Sequence, residues 1–238
     1  MLLELLVAAA NSDSCIAAAA IVGSGATGTE DKYSDIDLAF RLTPGAGVPD
    51  TADTWTKLLY REHDAAHHLD IWSGQALYRV FLLKNSLQVD LSFWPDQEFR
   101  ATGPNFKLLF GSAGEPSRPE PPEPEHLIGM GWLYGLHARS AIARGRLWQA
   151  VIMLDGIRDQ VIALTCLRHG LNSYQGRGVD QLPSEEISAL ELMRAKDVEK
   201  PELRRSLGAS LDALLAEAGH HNSGHAAALR EPIELLTI

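Results

Sequence analysis

Asp35 and Asp37 stand at alternate positions of an apolar run, Ser34-Asp35-Ile36-Asp37-Leu38-Ala39-Phe40. In a β-strand such a pair projects from one face with Cα atoms roughly 6 to 7 Å apart, while Ile36, Leu38 and Phe40 take the other. Two carboxylates so placed repel each other, and a divalent cation is their natural third party because a hard cation takes oxygen ligands and offsets both charges. Upstream, with ten residues between it and Asp35, Gly23-Ser24 closes another apolar run, Ile16 to Val22. A glycine at a turn lets backbone approach a phosphate, Ser24 adds a hydroxyl, and a following short helix would aim its amides at the anion.

A third acid, Asp90, lies in Gln88-Val89-Asp90-Leu91-Ser92, again on the polar face of an alternating strand pattern. One Asp on a strand face is ordinarily a solvated surface residue; three acids together with a Gly-Ser turn make that the weaker account. The string Gly23-Ser-Gly25-Ala-Thr-Gly28 also matches the dinucleotide fingerprint G-x-G-x-x-G. A dinucleotide unit needs a helix between its strands and an acid about 20 residues beyond the glycines. Seven residues separate Gly28 from Ile36, so that match is accidental.

Gly23-Ser24, Asp35-x-Asp37 and Asp90, in this order, resemble the motif of the DNA polymerase β-like nucleotidyltransferase superfamily, over roughly the first 95 residues. The longer form G-S-x-A-x-G-x-x-x-x-S-D-I-D-L is met by Gly23, Ser24, Ala26, Gly28 and Ser34 to Leu38, with one extra residue in the spacer. A helical half after the small α/β half looks like the aminoglycoside and lincosamide nucleotidyltransferases. The resemblance implies transfer of a nucleoside monophosphate, AMP from ATP in the leading reading, to a hydroxyl of a small molecule such as an antibiotic. Two Mg²⁺ would offset charge at both ends of the displacement. It further implies Asp35 and Asp37 as bridging ligands, Asp90 as the third ligand and nearest general base, and Gly23, Ser24, Asp35 and Asp37 as the nucleotide site. A group of the helical half remains an alternative base. Nucleotidylation of a protein or tRNA, as in antitoxin-type AMP transferases, and a non-catalytic binding module of the same fold are the rival readings.

The elements that must hold these residues follow from periodicity. Residues 1 to 11 read as a helix, Ile16 to Val22 as a strand, and Ile36 to Arg41 as the strand of the acid pair. Pro44 to Asp53 reads as a turn-rich loop and Thr54 to Glu62 as a helix. Leu69 to Trp72, Leu77 to Leu83 and Leu87 to Trp94 read as strands, the last two joined through Lys84-Asn85-Ser86. Lys84 there is either solvated or a phosphate contact near Asp90. Ser112 to Glu125, with five prolines, is a stiff spacer. The expected fold is an α+β nucleotidyltransferase domain with a small mixed sheet over 1–111, a linker over 112–125, and an all-α bundle over 126–238. Helices are expected at His126 to Arg144, Leu147 to His169, Ser184 to Ala195 and Lys200 to Ala218; Gly219 to Ile238 is left unassigned.

On the Leu147 to His169 helix, Trp148, Ile152, Asp155, Asp159, Ile162 and Cys166 share a face, and the remainder is apolar too, which makes the helix central in its bundle. Asp155 and Asp159 either belong to a buried ion-pair network with Arg139, Arg144, Arg146, Arg158 and Arg168, or hold a cationic acceptor or the nucleotide with Trp148 as a stacking surface. His63-x-x-x-His67 and the trio His220, His221 and His225 have partial zinc-like spacing, but they read as surface or loop histidines.

The 238 residues, 45% of them hydrophobic, suffice for one large or two small cores. A formal charge of -10 disfavours a DNA groove and a template-directed polymerase, and suits a cationic small acceptor. Two distant cysteines in apolar surroundings, an apolar start too short to span a bilayer and the lack of a basic leader point to the cytoplasm and to no membrane. A homodimer is open, since the acceptor pocket is completed either within one chain or by a second subunit.

Overall fold

The computed structural model describes residues 2–117 and 120–236. Met1, Arg118 and Pro119 of the predicted spacer, and Thr237 and Ile238 of the unassigned tail lie outside them. The chain divides into two compact units, Met1–Pro119 and Glu120–Ile238. The expected mixed sheet with helices, followed by an all-α region, is the architecture found.

The first unit runs α1 (Leu2–Ser12), β1 (Ile16–Val22), α2 (Gly23–Thr27), β2 (Ile36–Leu42), α3 (Val48–Glu62), β3 (Ala65–Ser73), β4 (Ala76–Leu83), β5 (Gln88–Trp94) and β6 (Phe106–Phe110). Strand order is β3-β4-β5-β2-β1-β6. β2 and β5 pair in parallel, and the other neighbours are antiparallel. One sheet face carries Leu38, Phe40 and Leu42 of β2, Leu77 and Phe81 of β4 and Val89, Leu91 and Phe93 of β5 against Leu6 of α1 and Trp55 and Leu59 of α3. Burying these side chains, each worth about 1.5 to 3 kcal/mol, fixes the alternation of every strand, because a one-residue slip would turn the apolar set outward. Asp35, Asp37 and Asp90 are thereby committed to the other face. The run of alanines in β1 is sandwiched: Ala19 belongs to the main core, and Ala18 and Ala20 pack with Phe99 on the far side.

Three boundaries differ from expectation. α3 starts at Val48 rather than Thr54, with Pro49 in its first turn, where proline's fixed φ suits a helix start. β3 extends to nine residues, and β6, absent from the sequence reading, pairs with β1. In the β4–β5 hairpin, Ser86 takes φ +70° and the Leu83 amide donates to the Leu87 carbonyl, so Lys84-Asn85-Ser86 is the expected connection.

In the second unit α4 (Pro124–Ala143), α5 (Leu147–Arg168), α6 (Ser184–Met193), α7 (Lys200–His221) and α8 (Ser223–Glu234) enclose one apolar core that includes Ile128, Ile157, Leu164, Leu203 and Leu214. α4 takes Pro124 and Glu125 of the predicted spacer as its first turn. A Cβ at Gly131 would fall 2.7 Å from Leu214, so glycine is what lets α4 and α7 lie this close. α8 occupies the unassigned tail. Its N-cap is Asn222, whose Oδ1 accepts from the Gly224 and His225 amides.

Arg79 ties α3 to the sheet. Only 6% exposed on β4, it donates to both carboxylate oxygens of Asp70 on β3 at 2.6 and 2.7 Å, and to Asp53 and Thr56 of α3 at 3.0 and 2.7 Å. Arg79→Met keeps the apolar stem but removes charge-assisted bonds. It should lower unfolding stability by about 2 kcal/mol in urea denaturation, whereas Arg61→Met on the exposed side of α3 should change it by less than about 0.5 kcal/mol.

Candidate active site

The polar face of the sheet gathers the three acids. In the parallel pairing of β2 with β5, Asp37 and Asp90 are register partners, so neighbouring strands place them about 4.8 Å apart. Asp35, one residue before β2, joins them from the turn in which the Ser34 hydroxyl accepts from the Asp31 amide at 2.9 Å and the Asp31 carboxylate accepts from the Tyr33 amide at 2.8 Å. Asp35, Asp37 and Asp90 each offer a carboxylate oxygen within 4.8 Å of the others, all half-buried, and they are the one group of three or more His, Cys, Asp or Glu able to share an ion among the described residues. The donor set, three carboxylates and no sulfur or imidazole, suits a hard divalent cation.

Gln88, two residues before Asp90 on the same strand face, was not singled out by its type. Its amide nitrogen lies 3.3 Å from Asp35 Oδ2 and 3.1 and 3.2 Å from the Asp90 oxygens. One neutral donor thus holds two acids that would otherwise repel. Asp90 is raised to about 6, first because burial disfavours its charge and further because of the Asp35 carboxylate, with the Gln88 hydrogen bond opposing the rise. The i, i+2 spacing was the signal that would have found this residue.

Gly23 begins α2 at φ +64°, and a Cβ there would fall on Asp37 Oδ2. Both the backbone conformation and the contact exclude a side chain, so the turn sits directly against the acid. Half-buried Ser24 lies one residue on, its carbonyl receiving the amides of Gly28 and Thr29. Beside Asp35 a cleft of about 570 Å³ opens between Lys32, Tyr33 and Ser34 on one side and Asn85 to Gln88 on the other. Lys84 is exposed and paired with Asp64 at 3.0 Å.

Trp148, Asp155 and Asp159 belong to the second unit, on α5. α5 is not apolar all round in its packing: Trp148 is 72% exposed and Ile152 is exposed beside it. The buried ion-pair network is replaced by a surface pair, Asp155 with Arg158 at 2.9 Å, while Arg168 binds Glu186 and Glu217. Partial burial raises Asp159, with Arg158 opposing and Asp155 adding to the rise. His63 ends α3 and His67 lies on β3. His220 and His221 close α7 and His225 lies in α8, so that trio is helical rather than in a loop.

In the metal-free protein Asp90 keeps its proton at pH values where the unfolded chain has lost it. Its contribution to stability is therefore whole below about pH 4 and lost as the pH rises through about 6. Asp90→Asn should be more stable than the parent above pH 6 without divalent metal, by on the order of 1 to 2 kcal/mol after discounting for solvent screening, and equal to it near pH 4. Denaturant titrations at both pH values read the difference; one that does not change with pH would mean the carboxyl is not desolvated.

No family model and no curated protein matches the chain. Among solved structures it is similar to the crystal structure of an aminoglycoside 6-adenyltransferase from Bacillus subtilis, at 12% identity and a TM-score of 0.43, over 98% of this chain and 96% of that one. At that level the likeness carries no argument about activity.

Proposed function

We propose that the chain is a Mg²⁺-dependent nucleotidyltransferase that moves a nucleoside monophosphate, AMP from ATP, to a hydroxyl of a small molecule. The observation that carries the proposal is the meeting of Asp35, Asp37 and Asp90 within 4.8 Å on parallel neighbours β2 and β5, against a glycine turn that no side chain could occupy.

Asp35, Asp37 and Asp90 would hold the divalent ions. When bound, these supply charge compensation for the α-phosphoryl oxygens and for departing pyrophosphate. The protein's own part begins at Gly23 and Ser24, whose amides and hydroxyl hold the β- and γ-phosphates where bare backbone permits close approach. Asp90 is the general base: it lies on the strand beyond Asp37, where a carboxylate beside the attacking hydroxyl takes its proton. Gln88 is a positioning residue, since its amide spans Asp35 and Asp90. Trp148, with its exposed indole, and Asp155 and Asp159 on α5 are proposed as a binding surface of the second unit for a positively charged group, Asp155 on leaving Arg158. We place the enzyme in the cytoplasm, where its free cysteines, Cys15 and Cys166, stay reduced. No described helix is long and apolar enough to cross a membrane.

Pyrophosphate release with Mg²⁺, ATP and a panel of aminoglycoside and lincosamide acceptors tests the proposal. Asp37→Asn should lower turnover by roughly 10²-fold or more with an unchanged circular dichroism spectrum. Retained turnover would place the chemistry elsewhere, and the absence of both pyrophosphate release and Mg²⁺-dependent ATP binding would remove the enzyme reading.

A further inference from the structure

The strands beyond Asp90 carry a chemistry that the triad does not use. From Asp90, the cross-strand register runs to Val80 on β4 and on to Leu69 on β3. The adjacent rows on the same face are Gln88, Leu82 and His67 to one side, and Ser92, Tyr78 and Ile71 to the other. Leu69, Ile71 and Leu82 are 59%, 50% and 51% exposed. Successive strands are about 4.8 Å apart, so this floor starts one strand from Asp90 and reaches about 10 Å from it.

On this face β3 and β4 also carry no Asp, Glu, Lys or Arg. β3 is an edge strand, and edges are ordinarily blunted by Lys, Pro or inward-pointing charge. Here the one acid of β3, Asp70, turns to the opposite face and binds Arg79, leaving His67, Leu69, Ile71 and Ser73 beside the site. The two sides of the triad thus differ: the bare turn at Gly23 lies against Asp37, and the apolar floor lies past Asp90. In-line displacement needs the leaving group and the attacking hydroxyl on opposite sides of the phosphorus, and the sheet offers one surface of each kind.

We infer that the floor formed by Leu69, Ile71, Val80 and Leu82 carries the acceptor, which is an amphipathic hydroxyl compound with an apolar face, uncharged where it meets the sheet. The inference rests on the nucleotidyl-transfer reading of the triad and narrows its substrate class. An apolar body seated on β3 and β4 brings a hydroxyl at its edge to Asp90. A uniformly polycationic acceptor finds no carboxylate on these strands past Asp90, so the floor selects against it.

The test uses the full chain with Mg²⁺ and a non-hydrolysable ATP analogue. Methyl, butyl and octyl β-D-glucopyranoside, kept below micelle-forming concentration, serve as probes carrying hydroxyls and an increasing apolar length. Calorimetric affinity should rise roughly fourfold for each methylene that the floor buries. Leu69→Asn and Ile71→Asn, both at exposed positions where folding tolerates polarity, should flatten that dependence, and Leu192→Asn, an exposed leucine of α6, should leave it intact. Equal affinity for the three glucosides, or a length dependence that survives in Leu69→Asn and Ile71→Asn, overturns the inference. So does a parent dimer that Ile71→Asn dissociates in light scattering, because a second copy would then cover the floor. Failure of the analogue to bind with Mg²⁺ in the same titrations would overturn the nucleotidyl-transfer reading itself, and the inference with it.

Discussion

Three carboxylates held within 4.8 Å of one another constitute the constraint on which the first unit depends. Like charges at that distance cost several kcal/mol unless they are partly neutralised or solvated. The fold answers in two ways. Asp90 is shifted to about 6, which lets it carry a proton when no cation is present, and the Gln88 amide is shared between Asp35 and Asp90. Neither device would be needed on an ordinary solvated strand face. Both leave room for a divalent ion to complete the balance.

The repulsion persists because the rest of the unit gives the strands no alternative register. Leu38, Phe40, Val89, Leu91 and Phe93 are buried on the reverse face, so the apolar set and the acidic set are fixed together. Arg79 closes the arrangement from β4 to α3, and Gly23 brings the turn after β1 against Asp37 where any side chain would clash. Packing on one face therefore creates the electrostatic tension on the other.

Much of this was legible in the sequence, because a period of two assigns faces without any knowledge of neighbours. The Asp35-x-Asp37 pair, the polar face of Asp90 and the Gly-Ser turn were all visible in this way. That Asp90 sits opposite Asp37 was not a matter of period: it depends on parallel β2–β5 pairing, with β3 and β4 placed outside β5. Two of the misread segments share a cause. Pro49 and Asn222 resemble loop residues but begin α3 and α8, since the residues that cap helices are those that favour turns. β6, Phe-Lys-Leu-Leu-Phe, is short and lacks clean alternation, so its period carries no strand signal. The apolar floor on β3 and β4 emerged only with sheet order, which turned scattered leucines into one surface beside an acid. On α5, sequence placed Asp155 and Asp159 correctly on a shared face but not the choice of Arg158 alone as ion-pair partner for Asp155.

The central claim is that the three acids act together as a seat for divalent ions beside a nucleotide. Mn²⁺ titration followed by electron paramagnetic resonance, with a non-hydrolysable ATP analogue present, addresses it directly. The account predicts protein-bound Mn²⁺ in excess of one ion per bound nucleotide, and loss of that excess when Asp37 is replaced by Asn. Mn²⁺ binding no greater than that of the free analogue, or binding unchanged in Asp37→Asn, would contradict it.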